Sequence, residues 1–216
     1  MKESQTTGKS NQTAEKILSA ARAAFAENGY SGTHVDEIAR RAGVNKATLY
    51  YQIGDKDTLY ARVIHTVLGN IALDIARAVE GALGPEEKLT AYIRTIAAAA
   101  EKNPELPSIM MREIASDGAH LPRVAMEDVA SVLTLLIGIL EDGKKKSCFT
   151  DVAPFLLHSM ITGTILFFKK VSPIKDRQVW LPQTIKNYDK KLKGSVGEEV
   201  AKLVLKAIKK ESGGTS

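Results

Sequence analysis

The sequence predicts an all-α protein: a three-helix head of helix-turn-helix type followed by a larger helical domain. Three observations predict it. Apolar residues recur every three to four positions through most of the chain, the spacing of one helix face. No stretch alternates apolar and polar residues over a useful length, so strands are not expected. Gly and Pro fall between the periodic segments, at Gly29, Gly43, Gly84-Pro85, Pro104, Gly118, Pro122 and Gly143. With 216 residues, 44% hydrophobic and 25% charged, the composition is that of an ordinary globular chain.

The elements follow in order. Residues 1–12 are polar and read as loose. From Thr13 onward, Ile17, Ala21 and Phe25 recur at four-residue spacing and make the first amphipathic helix, with Gly29 as its stop. Thr33 is the candidate N-cap of the second helix. Asp36 and Glu37 put acids in its first turn, where the helix dipole favours them. Val35, Ile38, Ala39 and Ala42 face inward and Gly43 ends this helix. A third helix starts at Val44 or Asn45 and runs to about Gln52. Asp55 caps a long fourth helix through Leu59, Val63, Ile64, Val67, Ile71, Ile75 and Val79. Pro85 suits the first turn of the fifth, which carries Leu89, Tyr92, Ile93 and Ile96. A sixth helix spans about 105–116, a seventh stops at Gly143, and an eighth covers about 151–170. Residues 171–195 read as irregular and basic, holding Trp180 and one short helix near 183–191. The last helix uses the stripe Val196, Val200, Leu203, Val204 and Ile208.

Charge carries little of the functional argument. The chain is +5 overall. Nine basic and seven acidic groups leave residues 1–62 at only +2, while eight and two give residues 169–193 +6. A single cysteine excludes a disulfide framework and favours a reducing compartment. The first twelve residues hold no apolar signal segment, so a cytoplasmic location is expected. The longest apolar stretch, Pro154–Phe168, is 15 residues and is interrupted by His158, Ser159, Thr162 and Thr164. A membrane helix needs roughly 18, and no membrane partner is expected. His34, His65 and His120 lack metal-ligand spacing. No Ser/His/Asp or Cys/His arrangement has local context, so neither metal, cofactor nor catalysis is expected. Gly8-Lys9-Ser10 resembles the end of a phosphate loop but lacks the earlier glycine, since position 3 is Glu.

The chemistry concentrates in residues 33–56. Two short helices meet at Ala42-Gly43-Val44, where a glycine allows the left-handed backbone of a tight turn. In the second of them, Val44, Leu49 and Ile53 can face the core. Asn45, Lys46, Thr48, Tyr50, Tyr51 and Gln52 then project outward, and their donors suit base edges and phosphates. Ala47 is small enough for close approach to a groove. Thr33, at a helix start, offers a hydroxyl and an N–H to a phosphate. Lys56 is misplaced for the dipole of the fourth helix, which an anionic partner would explain.

Residues 17–60, ILSAARAAFAENGYSGTHVDEIARRAGVNKATLYYQIGDKDTLY, resemble the N-terminal domain of tetracycline-repressor (TetR) family regulators. The resemblance rests on Phe25, Gly29-Tyr30, Thr33-x-Val35-x-x-Ile38-Ala39, Ala42-Gly43-Val44, Thr48-Leu49-Tyr50 and Lys56. Gln52 and Ile53 depart from the family, which usually has an aromatic or His at the first and often Phe at the second. Gln52 can still donate to a phosphate and Ile53 can still fill core space. The resemblance implies an all-α homodimer that binds palindromic operator DNA and releases it when an apolar small molecule occupies the larger domain. By position it places Lys46, Ala47, Thr48 and Tyr50 at bases or the groove wall, and Thr33, Tyr51, Gln52 and Lys56 at phosphates. It divides the chain into a DNA-binding domain, residues 1–62, and a ligand-binding and dimerisation domain, residues 63–216. An effector cavity is expected near Tyr92, Met110, Leu136 and Phe155, with His158 on the same apolar helix as Phe155. Residues 152–170 and 196–211 are expected to pair with their mates across a dimer. The alternative reading is a helical small-molecule-binding or protein-interaction module that no longer binds an operator. The retained Lys46, Thr48, Tyr50 and Lys56 argue against it.

Overall fold

The computed structural model describes residues 3–177, 182–184, 187 and 196–210. Its helices are α1 (Glu3–Gly32), α2 (Val35–Ala42), α3 (Lys46–Gln52), α4 (Lys56–Glu80), α5 (Pro85–Lys102), α6 (Leu106–Ala115), α7 (Arg123–Lys145), α8 (Pro154–Arg177) and α9 (Val196–Ile208). The protein is all-α. Among the described residues the sole β feature is an isolated antiparallel bridge between Phe149 and Lys209. Trp180 and most of the short helix expected near 183–191 lie outside the described residues.

The chain forms two compact units, Met1–Gly69 with Ser108–Glu127, and Asn70–Pro107 with Asp128–Ser216. The first is built on α1, α2, α3 and the start of α4. Its core holds Ile17, Ala21, Phe25, Ile38, Leu49, Leu59, Tyr60 and Ile64, joined by Ile109 and Ala125. The second has a largely aliphatic core that includes Ile75, Leu89, Ile93, Val132, Leu136, Leu157, Ile161, Ile165, Val200 and Val204. By length and composition α4 could cross a membrane. Its Leu59, Tyr60, Val63, Ile64 and Ile75 are instead buried in these two cores.

Several expected boundaries move for physical reasons. α1 begins at Glu3 rather than Thr13. Extending an existing helix costs far less than nucleating one, which lets the helix run on through the polar residues ahead of Thr13. Gly29 does break α1, with φ 72° and ψ 178°. Gly143 does not stop α7, which continues to Lys145. A Cβ there would lie 2.0 Å from the buried Phe149 ring, so the glycine serves packing. α8 extends to Arg177 through Pro173, past the expected end near residue 170. In α9, Val196, Val200, Val204 and Ile208 are buried in their own unit and Leu203 alone of the expected stripe is exposed. That helix lies against α5 and α8, and a Cβ on Gly197 would meet the Ala97 methyl at 2.7 Å.

Candidate DNA-recognition surface

The turn between α2 and α3 is held by backbone. Gly43 is left-handed (φ 69°, ψ 32°). Its N–H donates to Arg40 O at 3.2 Å and the Val44 N–H donates to Ala39 O at 3.0 Å, satisfying the last carbonyls of α2. Asn45 then caps α3, its side-chain oxygen accepting the Thr48 N–H at 2.7 Å. Buried Leu49 and Ile53 pin the inner face, with Val44 half-buried beside them. Asn45, Lys46, Ala47, Tyr50 and Tyr51 are left exposed, and Thr48 and Gln52 half-buried. Tyr51 is 88% exposed. Asp55 caps α4 in the same manner, accepting the Thr58 N–H at 2.8 Å.

Most cations of this surface carry a carboxylate partner. Lys46 Nζ lies 2.9 Å from Asp36 Oδ1 on α2, a hydrogen bond that raises the lysine's pKa. Arg40 and Arg41 both donate to Glu37, and Arg41 also to Glu27. Those guanidinium contacts, Arg41 foremost, hold both carboxyl groups below their ordinary range.

Thr33 and Lys56 both have partners within the chain. Thr33 is buried, its hydroxyl donates to Gly29 O (2.6 Å) and Ala24 O (3.2 Å), and its N–H donates to Tyr30 O at 3.2 Å. It secures the end of α1 and has no donor left for a phosphate. His34, not Thr33, occupies the N-cap of α2, without a capping side-chain bond. Lys56 has a partner within the chain: its Nζ sits 4.3 Å from the centroid of the Tyr30 ring, a cation–π contact. Partial burial lowers its pKa.

Tyr30 is a residue the sequence did not mark as functional. Its hydroxyl donates to the Asp57 carboxylate. Its ring packs on Phe25, Tyr60 and His120, the last at 4.3 Å between centroids. His120 also meets Ser31 Oγ at 3.1 Å. Nearby, buried Glu113 accepts the Tyr60 hydroxyl at 2.5 Å and the His120 N–H at 3.3 Å. Arg112 donates to Glu27 O at 2.6 Å. A Gly-Tyr pair ending a helix was the available sequence signal; its partners are far along the chain.

The expected effector residues divide. Tyr92 and Leu136 are fully buried in the core of the second unit. The Tyr92 hydroxyl lies 2.7 Å from His158 Nδ1, and burial pushes the tyrosine's pKa up and the histidine's down. Met110 is half-buried on α6, in the first unit. Phe155 is 69% exposed and does not join the buried set; Leu156, Met160 and Phe167 of the same helix are also exposed. A recess of about 590 Å³ in this unit is lined by Arg77, Glu86, Thr90, Arg94 and Leu205 among others, and by none of the expected effector residues.

Comparison with known proteins agrees with this geometry. Residues 17–63 match the family model described as bacterial regulatory proteins, tetR family. The chain is 26% identical over 195 residues to the HTH-type transcriptional regulator RutR of Escherichia coli O157:H7, covering 84% of this chain and 91% of that one. A linker-substituted variant of the regulator HlyIIR superposes with a TM-score of 0.67 at 25% identity, over 89% of this chain and 95% of that one. FadR of Bacillus subtilis, solved with stearoyl-CoA, shares the fold with a TM-score of 0.68 at 22% identity, over 88% and 97%. With the helix-turn-helix in place, residues 17–63 carry the pattern of the tetR family of bacterial regulatory proteins, and the chain as a whole is similar to HTH-type transcriptional regulators.

Proposed function

We propose that the protein is a ligand-responsive repressor that binds palindromic operator DNA as a homodimer and releases it on binding an apolar small molecule. The observation that carries this reading is α3: three apolar residues pin it, and its remaining surface is polar, aromatic and open. Residues 1–62 read DNA and residues 63–216 bind effector and dimerise, in the cytoplasm. Lys46, Ala47, Thr48 and Tyr50 meet bases or the groove wall; Asn45, Tyr51, Gln52 and Lys56 meet the backbone. The test is a binding titration against duplexes selected from a random pool. Lys46→Ala should cost roughly 1–3 kcal/mol and relax specificity; unaltered selection and affinity would remove α3 from the interface.

Exposed Leu156, Met160 and Phe167 on α8 and Leu203 on α9 support the dimer, as one chain leaves them uncovered. Beside them a Cβ on Gly163 meets nothing within 4 Å, room for a close helix approach. Gly163→Trp or Leu203→Lys should yield monomers by light scattering, with weaker operator binding. For the effector, stearoyl-CoA in the FadR structure supports an apolar class. We place the site around Tyr92, Leu136 and His158, where one polar pair sits in an aliphatic core. A bound effector at a hundred times its dissociation constant adds about 2.7 kcal/mol of stability. Leu136→Trp should abolish that shift in a thermal screen of long-chain acyl compounds. The effector acts only through different affinities for two head spacings, and α4, whose residues belong to both units, is the proposed lever.

A further inference from the structure

We propose that Asp36 and Lys46 act as one unit that reads a single G·C base pair in each half-site. The inference rests on the DNA-reading role of α3 proposed above and concerns a residue of α2 with no assigned part in recognition. Asp36 and Lys46 stand in the first turns of their helices, both exposed, with ammonium and carboxylate 2.9 Å apart. Together they present a cation with several donors beside an anion with only acceptors.

The major-groove edge of a G·C pair has the complementary order. Guanine offers the acceptors N7 and O6, and cytosine offers the N4 donor. O6 and N4 are joined by a Watson–Crick hydrogen bond, so they too stand roughly 2.9 Å apart. Lys46 can take guanine and Asp36 cytosine without breaking their ion pair. An A·T pair places a donor between two acceptors and ends in a methyl group. With thymine in the place of guanine, O4 and N6 offer the same acceptor and donor, but the carboxylate then has the adenine N7 acceptor beside it, and the ammonium has a methyl where guanine would give it N7 as a second acceptor.

The same carboxylate sets the behaviour on unrelated DNA. Arg40 and Arg41 are engaged by Glu37 and Glu27, and Lys46 by Asp36. A phosphate must therefore compete with Asp36 for the lysine and approach an anion to do so. Specific sequence satisfies both charges, whereas backbone alone satisfies one.

The experiment selects duplexes from a pool with a random centre, using the full chain, Asp36→Asn and Lys46→Ala. Asp36 is exposed and Asn is nearly isosteric, so folding is not at issue. Wild type should enrich a motif with one G·C pair preferred by about tenfold to a hundredfold. Both variants should lose preference at that same pair and retain it elsewhere. Asp36→Asn should also bind an unselected duplex several-fold tighter, its logarithmic salt slope steeper by about one, because Lys46 gains a phosphate. Variants that alter different positions, or an Asp36→Asn motif identical to wild type, would overturn the pairing proposal alone. A wild-type chain that enriches nothing would overturn the DNA-reading role itself.

Discussion

Each of the two units is held together internally by its own chemistry. In the first, aromatic rings and polar contacts interlock: Phe25, Tyr30, Tyr60 and His120 form one cluster of stacked and edge-on rings, and Glu113 and Thr33 are buried with their hydrogen bonds made. In the second, the core is mainly aliphatic, relieved by the Tyr92–His158 pair and by Phe149 seated on Gly143. Aliphatic packing is tolerant of sequence provided volume is kept. Directional contacts are not, since each names a partner and a distance. The first unit must hold donors at fixed positions against a rigid duplex. The second need only enclose volume, which suits the apolar ligand proposed for it.

The largest expected effect falls in the second unit. Phe149 is buried to 2% exposure, and Phe149→Ala should cost about 3–5 kcal/mol in denaturant unfolding. Gly143→Ala sharpens the point. Alanine is the better helix former by about 1 kcal/mol, yet its Cβ would lie 2.0 Å from the Phe149 ring. It should destabilise wild type by about 1–3 kcal/mol and stabilise the Phe149→Ala variant. A double-mutant cycle with no coupling would show that Gly143 is not reserved for that ring.

The first unit should fail through single polar atoms. Tyr60→Phe leaves one oxygen of buried Glu113 without its 2.5 Å donor, at about 1–3 kcal/mol. Thr33→Val removes the hydroxyl that holds Ala24 O and Gly29 O and should cost about 1–2 kcal/mol. It should leave the salt dependence of DNA binding unchanged. Lys56→Ala is the converse: little stability lost, all duplexes bound more weakly, and a salt slope shallower by about one. If Thr33→Val instead flattened the slope, the threonine would be a phosphate contact after all.

These variants also mark what the sequence makes legible. Helix periods, the Gly43 turn and the caps at Asn45 and Asp55 depend on residues a few positions apart, so a local pattern carries them. The outward chemistry of α3 is readable for the same reason: seven residues with Leu49 turned in leave few alternatives for the rest. Contacts between distant segments leave no local trace. Nothing near Gly143 announces that a ring six residues later will fill its missing Cβ. Thr33 looks like a cap because the carbonyls it serves belong to the preceding helix. The α9 stripe is apolar whether it meets a second copy or, as in the structure, its own α5 and α8.

The smallest expected effect tests whether the second unit holds a polar pair of the kind that knits the first. Burial raises the ionisation of Tyr92 far above its usual range, so its hydroxyl stays protonated. It lies 2.7 Å from His158 Nδ1, and donates to that nitrogen when the imidazole is neutral with its proton on Nε2. Burial lowers the histidine's pKa below its ordinary 6.5. A proton therefore prefers the unfolded chain. The stability contributed by neutral His158 is complete above about pH 6.5 and is lost as pH falls through the depressed folded value. The loss is at most about 1.4 kcal/mol per pH unit within that window. The denaturation midpoint should fall between pH 7.5 and pH 5.5, and His158→Gln should flatten the dependence. Tyr92→Phe keeps the burial but removes the hydroxyl, so the dependence should persist there in weaker form. An undiminished pH response in His158→Gln would place the titrating group elsewhere and leave the second unit's core without a charge-sensitive contact.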